Sequence, residues 1–301
     1  MNMSDTQGPR SGPRSEPKAS GAHRVGFIGT GTIGAPMARR LLDAGHALVV
    51  CDRAPAAAAP LVAAGAALAA SPREVEEVAA GPGGLLEGAR AGDVHVDLST
   101  SALGAVRALA AREAAAGVQL VDAPVSGGAM GAAQGALTVM ASGERSAFER
   151  VEPLLGAFGK HVFYLGDSGN GTLAKLVNNA IFLCGGLLVQ ETFAMAAKAG
   201  LDASRLLEVV QKSSGAAYAG LAKLLLGRGF DNAFFTLALA EKDVGLALDS
   251  ARGLGVPMPV VEAAHGTYRR ALELGLGQKL FAATLLAVED AAGVEVPPPA
   301  K

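Results

Sequence analysis

The run "HRVGFIGTGTIGAPMARRLLDAGH", residues 23–46, constrains the fold more than any other part of the chain. "RVGFI" is a short apolar run of the kind that makes a buried strand, and "APMARRLLDAG" carries helical periodicity. Between them Gly29, Gly31 and Gly34 form the pattern G-x-G-x-x-G. In a strand-turn-helix setting each glycine has its own reason. The first permits the tight turn, the second lets a pyrophosphate approach the backbone, and the third lets the helix lie close on the strand. The loop Gly29, Thr30, Gly31, Thr32, Ile33 and Gly34 is therefore expected to cradle a dinucleotide, with the free N–H groups of the helix start facing phosphate. A merely structural glycine turn is the competing reading.

The next strand, "ALVVCD", ends at Asp52, 23 positions after Gly29, where an acid accepts hydrogen bonds from the adenosine ribose. That favours NAD over NADP. Arg53 follows at once and would suit the 2'-phosphate of NADP. A third strand is expected at residues 65–70, and a helix from Ser71 to about Ala80. "DVHVDLST" and "VQLVDAPV" supply further strands around a crossover helix, and "GALTVMAS" and "HVFYL" read as late edge strands. Strands alternating with helices imply an α/β Rossmann-type fold with a mostly parallel sheet. One strand is missing from the pattern. After "LAASPREV" a core strand is due, but the chain gives "EEVAAGPGG", with no run of valines or isoleucines.

From about Gly171 the periodicity turns helical. "LAKLVNNAIFLCGGLLVQETFAMAAKAG" reads as one long helix ending near Gly200, with Gly185 and Gly186 marking a close contact or a bend. Further helical stretches follow. The expected organisation is a tail at 1–22, a dinucleotide-binding domain at 23–168, an all-helical substrate and dimerisation domain at 169–296, and a tail at 297–301. Of the 301 residues 50% are hydrophobic, enough for a large core in two domains. The net charge of -2 attracts no nucleic-acid backbone, and the absence of Trp leaves few stacking platforms. Cys51 and Cys184 stand far apart and read as buried free thiols. The five histidines show no metal-ligand spacing, so no metal is expected. No apolar run reaches the length of a membrane span, and the first 22 residues lack the apolar centre of a signal peptide. A cytoplasmic location is the expectation.

"GNGTLAKLVNN", Gly169 to Asn179, places a lysine and two asparagines at the start of the long apolar helix. Lys175 and Asn179 are four apart and share one face. A lysine there is either solvated on its stem or a proton donor. The motifs together decide. The chain resembles the β-hydroxyacid dehydrogenases, the group of 3-hydroxyisobutyrate dehydrogenase and tartronate semialdehyde reductase, related to 6-phosphogluconate dehydrogenase. "GFIGTGTIGAPMARRL" is similar to the nucleotide-binding signature, "DAPVSGG" to the substrate-binding signature, "GNGTLAKLVNN" to the catalytic signature, and "EKDVGLA" to the later Lys-Asp motif. The resemblance implies an NAD(P)-dependent oxidoreductase of small 3-hydroxyacids, with Lys175 catalytic. It implies substrate contacts from Ser126, Gly127, Gly128 and Asn179. Thr100 falls near nicotinamide and substrate, and Lys242 on the cofactor side. Asp243 is expected only to support structure. The implied partners are a small carboxylate-bearing substrate and a second copy, as a homodimer or homotetramer.

The family pattern has a buried strand and a Leu-Pro loop where this chain lacks roughly 15 to 20 residues. Either the "DVHVDLST" strand shifts into the vacancy, or the sheet is damaged and cofactor binding suffers. A degenerate nucleotide-binding homologue without turnover is thus an alternative. An imine reductase on the same scaffold is another, against which Lys175 argues.

Overall fold

The computed structural model describes residues 23–69 and 84–298. β1 (Arg24–Ile28), α1 (Gly34–Asp43), β2 (Ala47–Cys51), α2 (Pro55–Ala63) and β3 (Ala67–Leu68) form a first unit. Its three strands are parallel in the order β1-β2-β3, with Arg24 to Ile28 matched residue for residue to Ala47 to Cys51. α1 buries Met37, Ala38 and Leu41, one stripe of an amphipathic helix, against this sheet. The third strand is only two residues long, shorter than its apolar sequence implies. The helix expected from Ser71 to about Ala80 lies outside the described residues.

A second unit follows: α3 (Leu85–Gly88), β4 (Val94–Asp97), α4 (Leu103–Ala115), β5 (Gln119–Asp122), β6 (Val125–Ser126), α5 (Gly128–Gln134), β7 (Leu137–Gly143), α6 (Arg145–Gly156) and β8 (Gly159–Tyr164). β4 and β5 are parallel. β7 was expected at an edge and is instead the central strand. β5 and β6 share one of its edges, both antiparallel, and β8 takes the other in parallel. All but one of its residues are buried, so its apolar alternation is filled in on both faces.

The two sheets do not join. Among the described residues nothing pairs with the outer edge of β1 or with that of β4. The "DVHVDLST" strand has not moved into the vacancy; it stays on β5, and the sheet is split where the family pattern has a strand. Both sheets nevertheless share one hydrophobic core, in which Phe27, Leu48 and Val50 of the first meet Val121, Val139 and Phe158 of the second. The vacancy shows at Ile28, which is 42% exposed in what should be a central strand.

α7 (Asn170–Lys198) then leads into α8 (Ala203–Gln211), α9 (Ala219–Leu226), α10 (Leu237–Gly253), α11 (Pro259–Glu273) and α12 (Thr284–Ala292), so a largely helical domain follows the mostly parallel sheet. α7 runs for 29 residues and is long and apolar enough to cross a membrane. It instead lies in the helical core, where Leu183, Leu187 and Phe193 meet Leu225, Leu237, Tyr268 and Phe281. Gly185 marks a close contact: a Cβ there would stand 2.7 Å from the Tyr218 ring. The buried Gln190 is paired, donating to the Ala282 carbonyl and accepting from Thr284. At the far end Val296 is fully buried; its N–H donates to Glu289 and its carbonyl accepts from Arg228.

Candidate active site

The glycine loop has the geometry its sequence foretells. Gly29 has φ +89°, a turn conformation that costs a side-chain-bearing residue. A Cβ on Gly34 would fall 1.9 Å from the Gly29 carbonyl oxygen, so only glycine lets α1 start there. A Cβ on Gly31 would meet nothing within 4 Å, which leaves the backbone open to a bulky anion. α1 begins without a side-chain cap; Ala35 N–H already donates to the Gly31 carbonyl at 3.0 Å and Pro36 has no N–H, so the donors left for phosphate are those of Ile33 and Gly34. These features fit a dinucleotide pyrophosphate.

Asp52 already has work in this loop. Its carboxylate accepts from Ala54 N–H at 2.8 Å, from Thr30 N–H at 2.6 Å and from the Thr30 hydroxyl at 3.1 Å. The Ala54 and Thr30 N–H groups hold its pKa below the ordinary value. A carboxylate offers about four acceptor sites, so one remains for a ribose hydroxyl. Arg53 beside it is exposed.

A single cleft of about 1690 Å³ lies between the sheet units and the helical domain. Gly29, Ile33, Gly34, Asp52 and Arg53 line its nucleotide end; Thr30, Gly31 and Thr32 do not. Thr100, Ser126, Gly127 and Gly128 line it from the sheet side, and Lys175, Asn179 and Lys242 from the helical side. The vacant strand position opens into the same volume, whose walls there are Val25 and Gly26 of β1 and Val94, His95 and Val96 of β4. His95 contacts the fully buried Glu113 at 2.7 Å, a pair on that wall with no counterpart in the sequence expectations.

Lys175 is half-buried, and burial lowers its pKa; the charge of Asp243 opposes the shift and that of Lys242 adds to it. Such an amine is poised to give and take a proton nearer neutrality than a surface lysine. One turn on, Asn179 donates to Asp243 at 2.7 Å, which spends one of its donors on structure. Lys242 reaches across to the Thr100 carbonyl at 3.0 Å and lies 3.3 Å from Asp243 Oδ1. That oxygen is buried with no hydrogen-bond donor, although it stands in the wall of the cleft. Asp243 therefore belongs to the site as well as to its framework, which sequence reading missed. Its signal in the sequence is its place beside Lys242 in "EKDVGLA". Gly127 and Gly128 have φ +127° and +62°, so the turn after Ser126 presents backbone unshielded by Cβ atoms. Among the described residues no cluster of His, Cys, Asp or Glu has the make-up of a metal site.

Comparison with known proteins agrees with this arrangement. Residues 24–79 and 70–166 both match the NAD binding domain of 6-phosphogluconate dehydrogenase, and residues 169–288 match the NAD-binding family of NADP-dependent 3-hydroxyisobutyrate dehydrogenase. The first match comes in two pieces that overlap at residues 70–79. The chain is 34% identical over 292 residues to 2-(hydroxymethyl)glutarate dehydrogenase of Eubacterium barkeri, covering 91% of this chain and 97% of that one. It is 33% identical to the NAD-dependent L-serine dehydrogenase of Pseudomonas aeruginosa, over 86% and 95% of the two chains. Among solved structures, 3-hydroxyisobutyrate dehydrogenase of Salmonella typhimurium aligns with a TM-score of 0.77 at 30% identity, over 88% of this chain and 99% of that one. The enzyme of the same name from Mycobacterium tuberculosis, solved with L-serine, gives 0.76 at 28%, over 89% and 99%. With a nucleotide loop, a half-buried lysine and one cleft joining them, the architecture is that of an NAD(P)-binding oxidoreductase. The chain belongs to the β-hydroxyacid dehydrogenase family, of the 3-hydroxyisobutyrate dehydrogenase type.

Proposed function

We propose that the protein interconverts a small 3-hydroxyacid and its aldehyde or keto acid, with Lys175 as the proton donor and acceptor. The observation that carries this reading is the Lys175 amine, its pKa lowered by burial, in one cleft with the nucleotide loop and the Ser126–Gly128 turn. The bound nicotinamide supplies the hydride chemistry. In oxidation the neutral amine takes the hydroxyl proton; in reduction the ammonium returns it to the growing alkoxide. Ser126 and the N–H groups of Gly127 and Gly128 hold the substrate carboxylate, and Asn179 and Thr100 orient the reacting carbon. The relatives named above act on small hydroxyacids by their names, which favours this substrate class. Asp52 supports NAD over NADP, since a carboxylate repels a 2'-phosphate.

The vacant strand supports a second reading, a nucleotide-binding homologue that has lost turnover. Titrating purified protein with NADH by fluorescence, then following nicotinamide absorbance with a panel of 3-hydroxyacids, separates the two. Turnover that disappears in Lys175→Ala is the expected result. Turnover untouched by that change removes the lysine from the mechanism, and NADH binding without turnover on any acid leaves the second reading. Equal affinity for NADP would overturn the role of Asp52. The reading extends to a homodimer or homotetramer, supported by the exposed apolar stripe of α7, and to a cytoplasmic location, supported by two free cysteines.

A further inference from the structure

We propose that Asp122 and Ser142, both in the sheet domain, are positioning residues for Lys175: they cap the first turn of α7 from outside and so fix where its amine stands in the cleft. The proposal rests on Lys175 being the proton carrier.

A helix begins with N–H groups that have no partner of their own. α7 brings no cap, because its N-cap is Gly169, with φ +92° and no side chain. The acceptors come from two neighbouring strands. Asp122 Oδ1 accepts from Gly169 N–H at 2.9 Å, and Asp122 Oδ2 accepts from Thr172 N–H at 2.9 Å and from the Thr172 hydroxyl at 3.1 Å. Ser142 Oγ accepts from Gly171 N–H at 2.9 Å and donates to Asp122 Oδ1 at 2.6 Å. Asp122 and Ser142 face each other directly across β5 and β7, so one rung of the sheet forms the whole cap. Both are fully buried, and Thr172 nearly so.

The fit is steric as well as polar. A Cβ on Gly171 would stand 2.2 Å from the Met140 carbonyl oxygen and 2.8 Å from that of Asp122. The first turn therefore touches the strand backbones, and it can neither slide nor roll without losing several bonds. Thr172 precedes Lys175 by three residues, less than one turn, so fixing the azimuth of one fixes the other. The carboxylate also sits where the helix dipole favours negative charge. It acts on the lysine by placement alone: the charges that move the Lys175 pKa are those of Asp243 and Lys242.

The test compares Asp122→Asn, Gly171→Ala and Ser142→Ala with Lys175→Ala in steady-state kinetics, pH profiles and NADH titrations. Asparagine keeps one acceptor but turns an N–H toward donors of the cap. Gly171→Ala pushes the turn off Met140, and displacements of about 1 Å cost about 10²-fold in rate. The expected result is kcat lowered at least about tenfold, an unmoved inflection in the pH profile, and an NADH Kd within about twofold of the parent protein. Folded variants with parental kcat would overturn the proposal, as would NADH affinity that falls in step with kcat. If Asp122→Asn fails to fold, Ser142→Ala, which removes one hydroxyl, carries the test; failure of all three to fold makes the pair structural and also counts against it. Parental turnover in Lys175→Ala defeats the proton-carrier reading itself, whereas its loss there with intact turnover in the cap variants defeats only the positioning role.

Discussion

Burial and two charges of opposite sign act on Lys175, and their balance makes its titration testable. Burial and Lys242 lower its pKa while Asp243 raises it, with a net lowering. Oxidation needs the neutral amine, so its rate should rise with pH through a pKa below that of a free lysine. Reduction needs the ammonium and should fall through the same pKa. Removing the raising charge in Asp243→Asn should move both inflections to lower pH, read from kcat/KM profiles; an inflection that stays put or moves up would assign the titration to another group. The glycines of the loop make a second contrast. Gly34→Ala places a methyl on the Gly29 carbonyl and should cost about 3 kcal/mol in thermal or denaturant unfolding. Gly31→Ala meets open space, so stability should change by less than about 0.5 kcal/mol while NADH affinity falls. The reverse pattern would mean that the loop is not the phosphate cradle. Lys175 and the glycines were legible because motif spacing exposes them. Asp243, Asp122 and Ser142 were not, because their partners lie tens of residues away in the chain and meet only through strand pairing and domain contact.

At the scale of elements, α7 has two faces. One is built into the helical core; the other leaves Val177, Ile181, Leu188 and Met195 exposed, with Leu188 at 55%. Ile181, Leu188 and Met195 recur every seven residues, the spacing of a helix-pairing seam. Leu188→Asp should therefore shift the protein to a smaller species in sedimentation without loss of helicity; an unchanged sedimentation coefficient would place any subunit contact elsewhere. The helices were readable because a 3.6-residue period survives in any context. Strand order was not. β7 looked like an edge by its late position, and it became central because β5, β6 and β8 all return to it.

On the scale of the whole molecule, the split sheet dominates. β1 and β4 each leave one edge unpaired among the described residues, and unpaired backbone opens easily. Amides of β1 and β4 that are not bonded to β2 or β5 should exchange with deuterium at least about 100-fold faster than those of β7, which has strands on both edges. Inserting roughly 15 to 20 residues encoding a buried strand and loop between β3 and α3 should slow that exchange, raise the melting temperature and tighten NADH binding. If exchange at β1 is already as slow as at β7, the vacancy is filled in solution.

The sequence by itself determined the family, the glycine loop, the lysine-bearing helix and the vacancy in the strand pattern, because each is written in residues close together in the chain. Only the tertiary structure decided how the described strands arrange around it: β1 is paired along its whole length with β2 and β4 with β5, so neither leaves its neighbour, and a shared core holds the two sheets together. It alone also decided what holds the start of the lysine-bearing helix, because a carboxylate can cap a helix some fifty residues away only after the strands have brought it there.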